Sequence, residues 1–258
     1  MSERTSYTPG TFSWVDLTTT DQEDAKRFYS GLFGWETEDS PVGDGVVYTM
    51  AKLDGRDVGA ISPQPTQQRE AGVPAMWNSY ITVTSADEAL ERARELGATV
   101  HAPAFDVLDA GRMGVVQDPQ GAYFMVWEPR ANIGAGLVNA HGALSWNELA
   151  SPDPEASASF YARLFEWSAD AMEGVDPPYL VIKRSDGQTN GGIRAAASTE
   201  PCYWLVYFGT DDLEGSLAKV EDLGGGTLVG PIAIGAGRFA AVQDPQGAVF
   251  ALYTGDFD

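Results

Sequence analysis

Apolar positions along this chain follow two rhythms, every second residue and the one-face spacing of a helix, and the chain passes from the first to the second four times. TFSWVDLT reads as a strand, and the next segment places Ala25, Phe28, Tyr29, Leu32 and Phe33 on one face of a helix. Asp21 is the expected cap of that helix and Gly34 its stop. Short strands follow around VVYTMAKL and DVGAIS, and the Gln- and Pro-rich interval from Pro63 to Pro74 reads as a loop. The pattern then restarts with the strand WNSYITV. Ser85 with Glu88 forms a capping-box signature ahead of ADEALERAREL, which Gly97 stops, and strands around ATVHAP, MGVVQD and AYFMVWE close the first half.

The second half repeats this order through ALSWNEL, a helix opened by Asp153 and Pro154, PYLVIK, GGIRAA, YWLVYFG, a helix from Leu213 to Leu223 and a last hairpin. The repetition extends to residues: WVDLTTTDQEDAKRFYSGLFGWE matches WNELASPDPEASASFYARLFEWS, and GRMGVVQDPQGAYFMVW matches GRFAAVQDPQGAVFALY. The predicted fold class is α+β, with four tandem βαβββ units forming two eight-stranded open cups. Expected domains are residues 1–130 and 143–258, with 131–142 as the join. The repeated DPQG is a hairpin turn: Pro fixes φ, Asp bonds the backbone ahead of it, and Gly takes a conformation other residues avoid.

Composition narrows function. A formal charge of −21 repels phosphate backbones and anionic lipid, so nucleic acid and membrane are not expected partners. No apolar run is long enough to span a bilayer and no signal-peptide pattern stands at the N-terminus, which predicts a cytoplasmic protein. The single cysteine, Cys202, cannot form an internal disulfide and lies in an apolar run that predicts a buried, inert thiol. Motifs for serine hydrolases, phosphate loops, zinc proteases and dinucleotide folds are absent, so no cofactor is expected.

The D-helix-FY-LFGW pattern, the DPQG turn closing each half and the doubled βαβββ order resemble the vicinal oxygen chelate superfamily, which includes glyoxalases, extradiol dioxygenases and bleomycin-resistance proteins. The resemblance covers nearly the whole chain and is nearest to the two-domain actinobacterial type, a group that includes a mycobacterial culture-filtrate antigen. It implies a metal held by His or Glu on the first and last strands of each unit. Carried over residue by residue, those positions fall on Trp14, Trp146, Met125, Ala251, Asn78 and Leu205, with less certain matches near Gly59 and Gly191. Indole, thioether and alkyl groups are not ligands for Zn²⁺, Fe²⁺ or Mn²⁺, so no metal site is expected. His101 and His141 lack a paired-ligand spacing.

Strand alternation places Trp14, Asp16 and Thr18 on one face, with Asn78, Tyr80, Thr82, Tyr123, Met125 and Trp127 lining the same cup. In the second cup the lining is Trp146, Glu148, Leu205, Tyr207, Gly209, Val249, Ala251 and Tyr253. These aromatics serve either as core or as pocket lining. Asp16 and Glu148 are either structural acids, for which Arg112 and Arg238 are candidate partners, or acid–base groups with raised pKa. Three functions follow: metal-free binding of an aromatic or apolar small molecule, of the sequestration or resistance type; a metal-independent isomerase, cyclase, lyase or hydroxylase using Asp16 or Glu148; and a metal-dependent glyoxalase or dioxygenase with relocated ligands. The ligand or substrate is a small molecule, and the chain is expected as a monomer or homodimer.

Overall fold

A computed structural model describes residues 2–43, 45–176 and 178–256. Two eight-stranded mixed sheets carry the chain, one built between Phe12 and Pro129 and the other between Leu144 and Gly255. Within each sheet the first strands of its two units lie side by side and antiparallel, with Asp16 opposite Asn78 and Glu148 opposite Leu205. Each first strand also pairs in parallel with the last strand of its own unit, so the units of a half close on each other and both cups form within halves. Among the described residues no helix is long and apolar enough to cross a membrane.

The helices begin and end where local chemistry requires. Asp21, Asp153 and Asp212 each accept a bond from a first-turn backbone N–H, and Gly34 closes the first helix in the left-handed region with φ 75°. Ser85 caps its helix by accepting from Glu88 N at 3.3 Å, and the Glu128 carboxylate accepts from the next first-turn donor, Ala86 N, at 2.9 Å. The interval read as a loop contains a short helix, Thr66–Glu70. It buries no side chain, so no apolar rhythm announces it.

Sheets stay within halves, but cores do not. Phe28, Tyr29, Leu32 and Phe33 on the helix Gln22–Phe33 share a cluster with Phe208, Val220, Phe250 and Leu252 of the second half. Reciprocally, Phe160, Tyr161 and Leu164 join Ile81, Leu90, Val116 and Phe124 of the first. The join belongs to this core as well. Ala135 N bonds Ser13 O at 2.7 Å, Leu137 and Val138 are buried, and these two pair with Ser2–Glu3. The segment expected as a connector between domains is therefore a largely buried strap whose backbone donors reach both halves, Gly136 N bonding Asp57 O at 2.7 Å and Gly142 N bonding Gly209 O at 2.8 Å.

Candidate functional site

The concave face of the first sheet centres on Asp16, which is 5% exposed. Oδ2 accepts from Tyr80 OH at 2.7 Å and Tyr48 OH at 3.1 Å; Oδ1 accepts from Asn78 Nδ2 at 2.8 Å. Trp14 Nε1 donates to Tyr48 OH at 3.0 Å, which leaves the Tyr48 hydrogen for Asp16. Burial pushes the Asp16 carboxyl above its ordinary value, against the lowering pull of its three hydrogen bonds. Both tyrosines are driven well above theirs, first by burial and then by the neighbouring carboxylate.

The second sheet repeats much of this design. Trp146 Nε1 donates to Tyr179 OH at 3.0 Å, and Glu148, Tyr179 and Tyr207 stand where Asp16, Tyr48 and Tyr80 stand. Here, however, Arg194 Nε lies 2.8 Å from Glu148 Oε1 and a second carboxylate, Glu200, takes the other side of the guanidinium. Hydrogen bonding from the Arg194 guanidinium holds Glu200 down to about 2, and Tyr203 OH adds a bond to it. Register explains the difference. Arg194 is opposite Ala150 in the parallel pairing, and the residue opposite Thr18 in the first half is Ser62. One acid is thus paired with a cation and the other is not.

The remaining expected site residues divide by position. Met125 and Trp127 belong with Tyr80, and the Trp127 and Tyr80 rings meet edge to face at 6.4 Å. Tyr123 lies at the sheet end, 43% exposed, with its ring 4.9 Å from that of His101. Tyr207 and Tyr253 pack around Phe239 in the second cup, and the Tyr253 hydroxyl meets the carbonyl of Ala236 at 2.7 Å.

Arg112 and Arg238 do not reach the acids. Arg112 pairs with Asp87 and Asp106, and Arg238 with Glu214, on the helix-covered side. In the hairpin register Met113, not Arg112, is opposite Trp127, so alternation turns Arg112 away from the cup. Tyr48, Tyr179, Ser62, Arg194 and Glu200 escaped sequence reasoning. The matching tyrosines of VVYTM and PYLVI, and the parity of Arg194 with Gly192, were the available signals.

Apolar side chains remain open on these faces. Val229 and Ile232 are opposite Ala241 and Phe239, and Phe105 is opposite Met113, so all three share the concave sides while being 40–49% exposed. A separate cleft between the N-terminal segment and the second half is lined by Arg4, Tyr7, Arg184 and Asn190. The Asn190 amide is committed there to Gly10 O and Phe12 N, tying the segment down. Cys202 is only partly buried, yet burial pushes its thiol up to about 12, away from nucleophilic use.

Comparisons place this geometry among known proteins. Residues 11–126 match the model of the Glyoxalase/Bleomycin resistance protein/Dioxygenase superfamily. A protein of Mycobacterium tuberculosis named as a glyoxylase, CFP32, is 42% identical over 98% of this chain and 97% of its own. The anthracycline biosynthesis protein DnrV of Streptomyces peucetius is 32% identical over 96% and 94%. Among solved structures, the Mn(II)-bound glyoxalase from Novosphingobium aromaticivorans aligns with TM-score 0.66 at 16% identity, covering 97% of this chain and 85% of its own. Homoprotocatechuate 2,3-dioxygenase from B. fuscum aligns with TM-score 0.67 at 14% identity, covering 99% and 74%.

The Mn(II) of the Novosphingobium glyoxalase finds no matching set of donors among the described residues of this chain. Among the described residues no three His, Cys, Asp or Glu side chains gather into a set that could hold an ion. The strand positions at which the resemblance puts ligands carry Trp14, Asn78 and Met125 in one cup and Trp146, Leu205 and Ala251 in the other. On its paired βαβββ units and its likeness to CFP32 along nearly the full length, the chain belongs to the glyoxalase/bleomycin resistance protein/dioxygenase superfamily.

Proposed function

We propose that this protein binds a flat aromatic or apolar small molecule on the concave faces of its sheets, without a metal ion. The observation that carries the reading is the lining itself: buried Trp14, Met125, Leu205 and Ala251 stand where the resemblance puts ligating His or Glu, and Phe105, Val229 and Ile232 on the same concave faces are open to solvent. Fused-ring guests suit such a surface because stacking and burial need no charge. The two Streptomyces relatives named for anthracycline biosynthesis add support for that guest class. Titration with an anthracycline, followed by quenching of the cup tryptophans, should give saturable binding that survives exhaustive chelation. Absence of saturation, or a stoichiometric transition metal whose removal abolishes binding, would overturn the reading.

A second reading is favoured by Asp16 alone. A buried carboxyl without a cation, its proton affinity raised by burial, suits a general acid or base acting on the same guest. Glu148 is less suited, because its Oε1 is already engaged by Arg194 Nε at 2.8 Å. Loss of turnover with retained binding in Asp16→Asn, and not in Glu148→Gln, supports catalysis over sequestration.

A further inference from the structure

The first cup contains one polar group whose orientation is fixed and whose acceptor is free. Asn78, partly exposed on the strand Met76–Thr82, donates both amide hydrogens to its own sheet, at 2.8 Å to Asp16 Oδ1 and 2.8 Å to Thr18 Oγ1. With both hydrogens committed, Oδ1 is the part of the amide left for a guest, and no described protein group donates to it. The orientation is not reversible at equal energy. An amide flip would set two acceptors, Asn78 Oδ1 and Asp16 Oδ1, against each other unless the carboxyl carried a proton on Oδ1. In the second cup the matching residue is Leu205, 4% exposed, opposite Glu148 as Asn78 is opposite Asp16.

From this asymmetry, and resting on the reading of the cups as aromatic-binding surfaces, we infer that the first cup selects hydroxylated aromatic guests. The guest hydroxyl donates to Asn78 Oδ1 while its ring lies against Tyr80, Met125 and Trp127. Asp16 acts as a positioning residue that holds the amide with its oxygen outward. The second cup, with Leu205 at this point and its acid neutralised by Arg194, lacks that discrimination.

The test compares 2-naphthol, un-ionised at about pH 7, with 2-methoxynaphthalene, which has the same ring and no donor. Affinities for both are measured by equilibrium dialysis on the full chain and expressed as a ratio, which a general loss of structure or of apolar contact moves little. Asn78→Leu, the residue the second cup carries, should lower the preference for the naphthol roughly threefold to tenfold, the worth of one net hydrogen bond. Asp16→Asn should lower it in the same direction, whereas Leu205→Ala should leave it unchanged. An unchanged ratio in Asn78→Leu, with both compounds still bound, overturns the inference and leaves the binding reading standing. A ratio that falls in Asn78→Leu but not in Asp16→Asn overturns the positioning role. If neither compound binds the wild type, the inference fails together with the reading beneath it.

Discussion

The hydroxyl of Tyr29 donates to Asp244 Oδ2 at 3.0 Å, across the boundary between halves, and Tyr161 returns the bond to Asp118 Oδ2 at 2.9 Å. Each tyrosine comes from the FY pair of one half and each aspartate from the DPQG turn of the other. Trp77 and Trp204 donate to the same hydroxyls at 2.9 Å, and Asp118 Oδ1 collects backbone N–H groups of Gln120, Gly121 and Ala122. The turn motif therefore does two jobs. One carboxylate oxygen shapes the hairpin and the other ties the halves together.

Tyr29→Phe removes a donor from a buried carboxylate and an acceptor from the Trp77 indole at once. The expected loss is about 1–3 kcal/mol of unfolding free energy, read as a lower urea midpoint at unchanged slope. Tyr161→Phe should cost a similar amount. Because the cores interleave, wild type should unfold in one transition by fluorescence and circular dichroism; two separated transitions would contradict the shared core.

Arg194→Met strips the cation from Glu148, which is 7% exposed. Since Arg194 is partly open to water, the penalty is set below that of a fully buried pair, at about 2 kcal/mol. Adding Glu148→Gln should recover much of it. A double variant no more stable than the single would remove the ion pair from this account.

The pH dependence attributable to Asp16 has a definite sign. Burial raises its folded-state pKa above that of the unfolded chain, so the native state resists ionisation. Stability from this group is retained at low pH and lost as pH rises through the raised value. Compared with Asp16→Asn, wild type should lose ground in urea titrations as pH rises above about 4, the ordinary carboxyl value. A gap moving the other way would mean that the three donors outweigh burial.

Cys202 should resist alkylation in the native state. With its thiol pushed up to about 12, the thiolate fraction at neutral pH is on the order of 10⁻⁵, far below that of a free cysteine. Mass spectrometry after iodoacetamide treatment, with and without urea, should find modification only in the unfolded protein.

Much of the architecture can be read from the chain because it rests on local physics. Alternation places Trp14 and Asp16 on one face, the 3.6-residue rhythm of Phe28-Tyr29 marks a helix, and DPQG turns the same way wherever it occurs. Those rules also place Asp16, Asn78, Tyr80, Met125 and Trp127 together, while the ligand positions themselves come only from the resemblance to the family. What alternation within one strand cannot supply is register between strands. That is why the sequence alone offers Arg112 and Arg238 as partners for acids on the opposite side of the sheet, and why it does not point to Arg194, which is separated from Glu148 by two strands in chain order. Only tertiary structure decided that the units close within halves while helices pack across them, that the join is buried, and that one cup's acid is neutralised while the other's is not. Each of these depends on contacts between residues distant in sequence, where no local periodicity records which partner a side chain will meet.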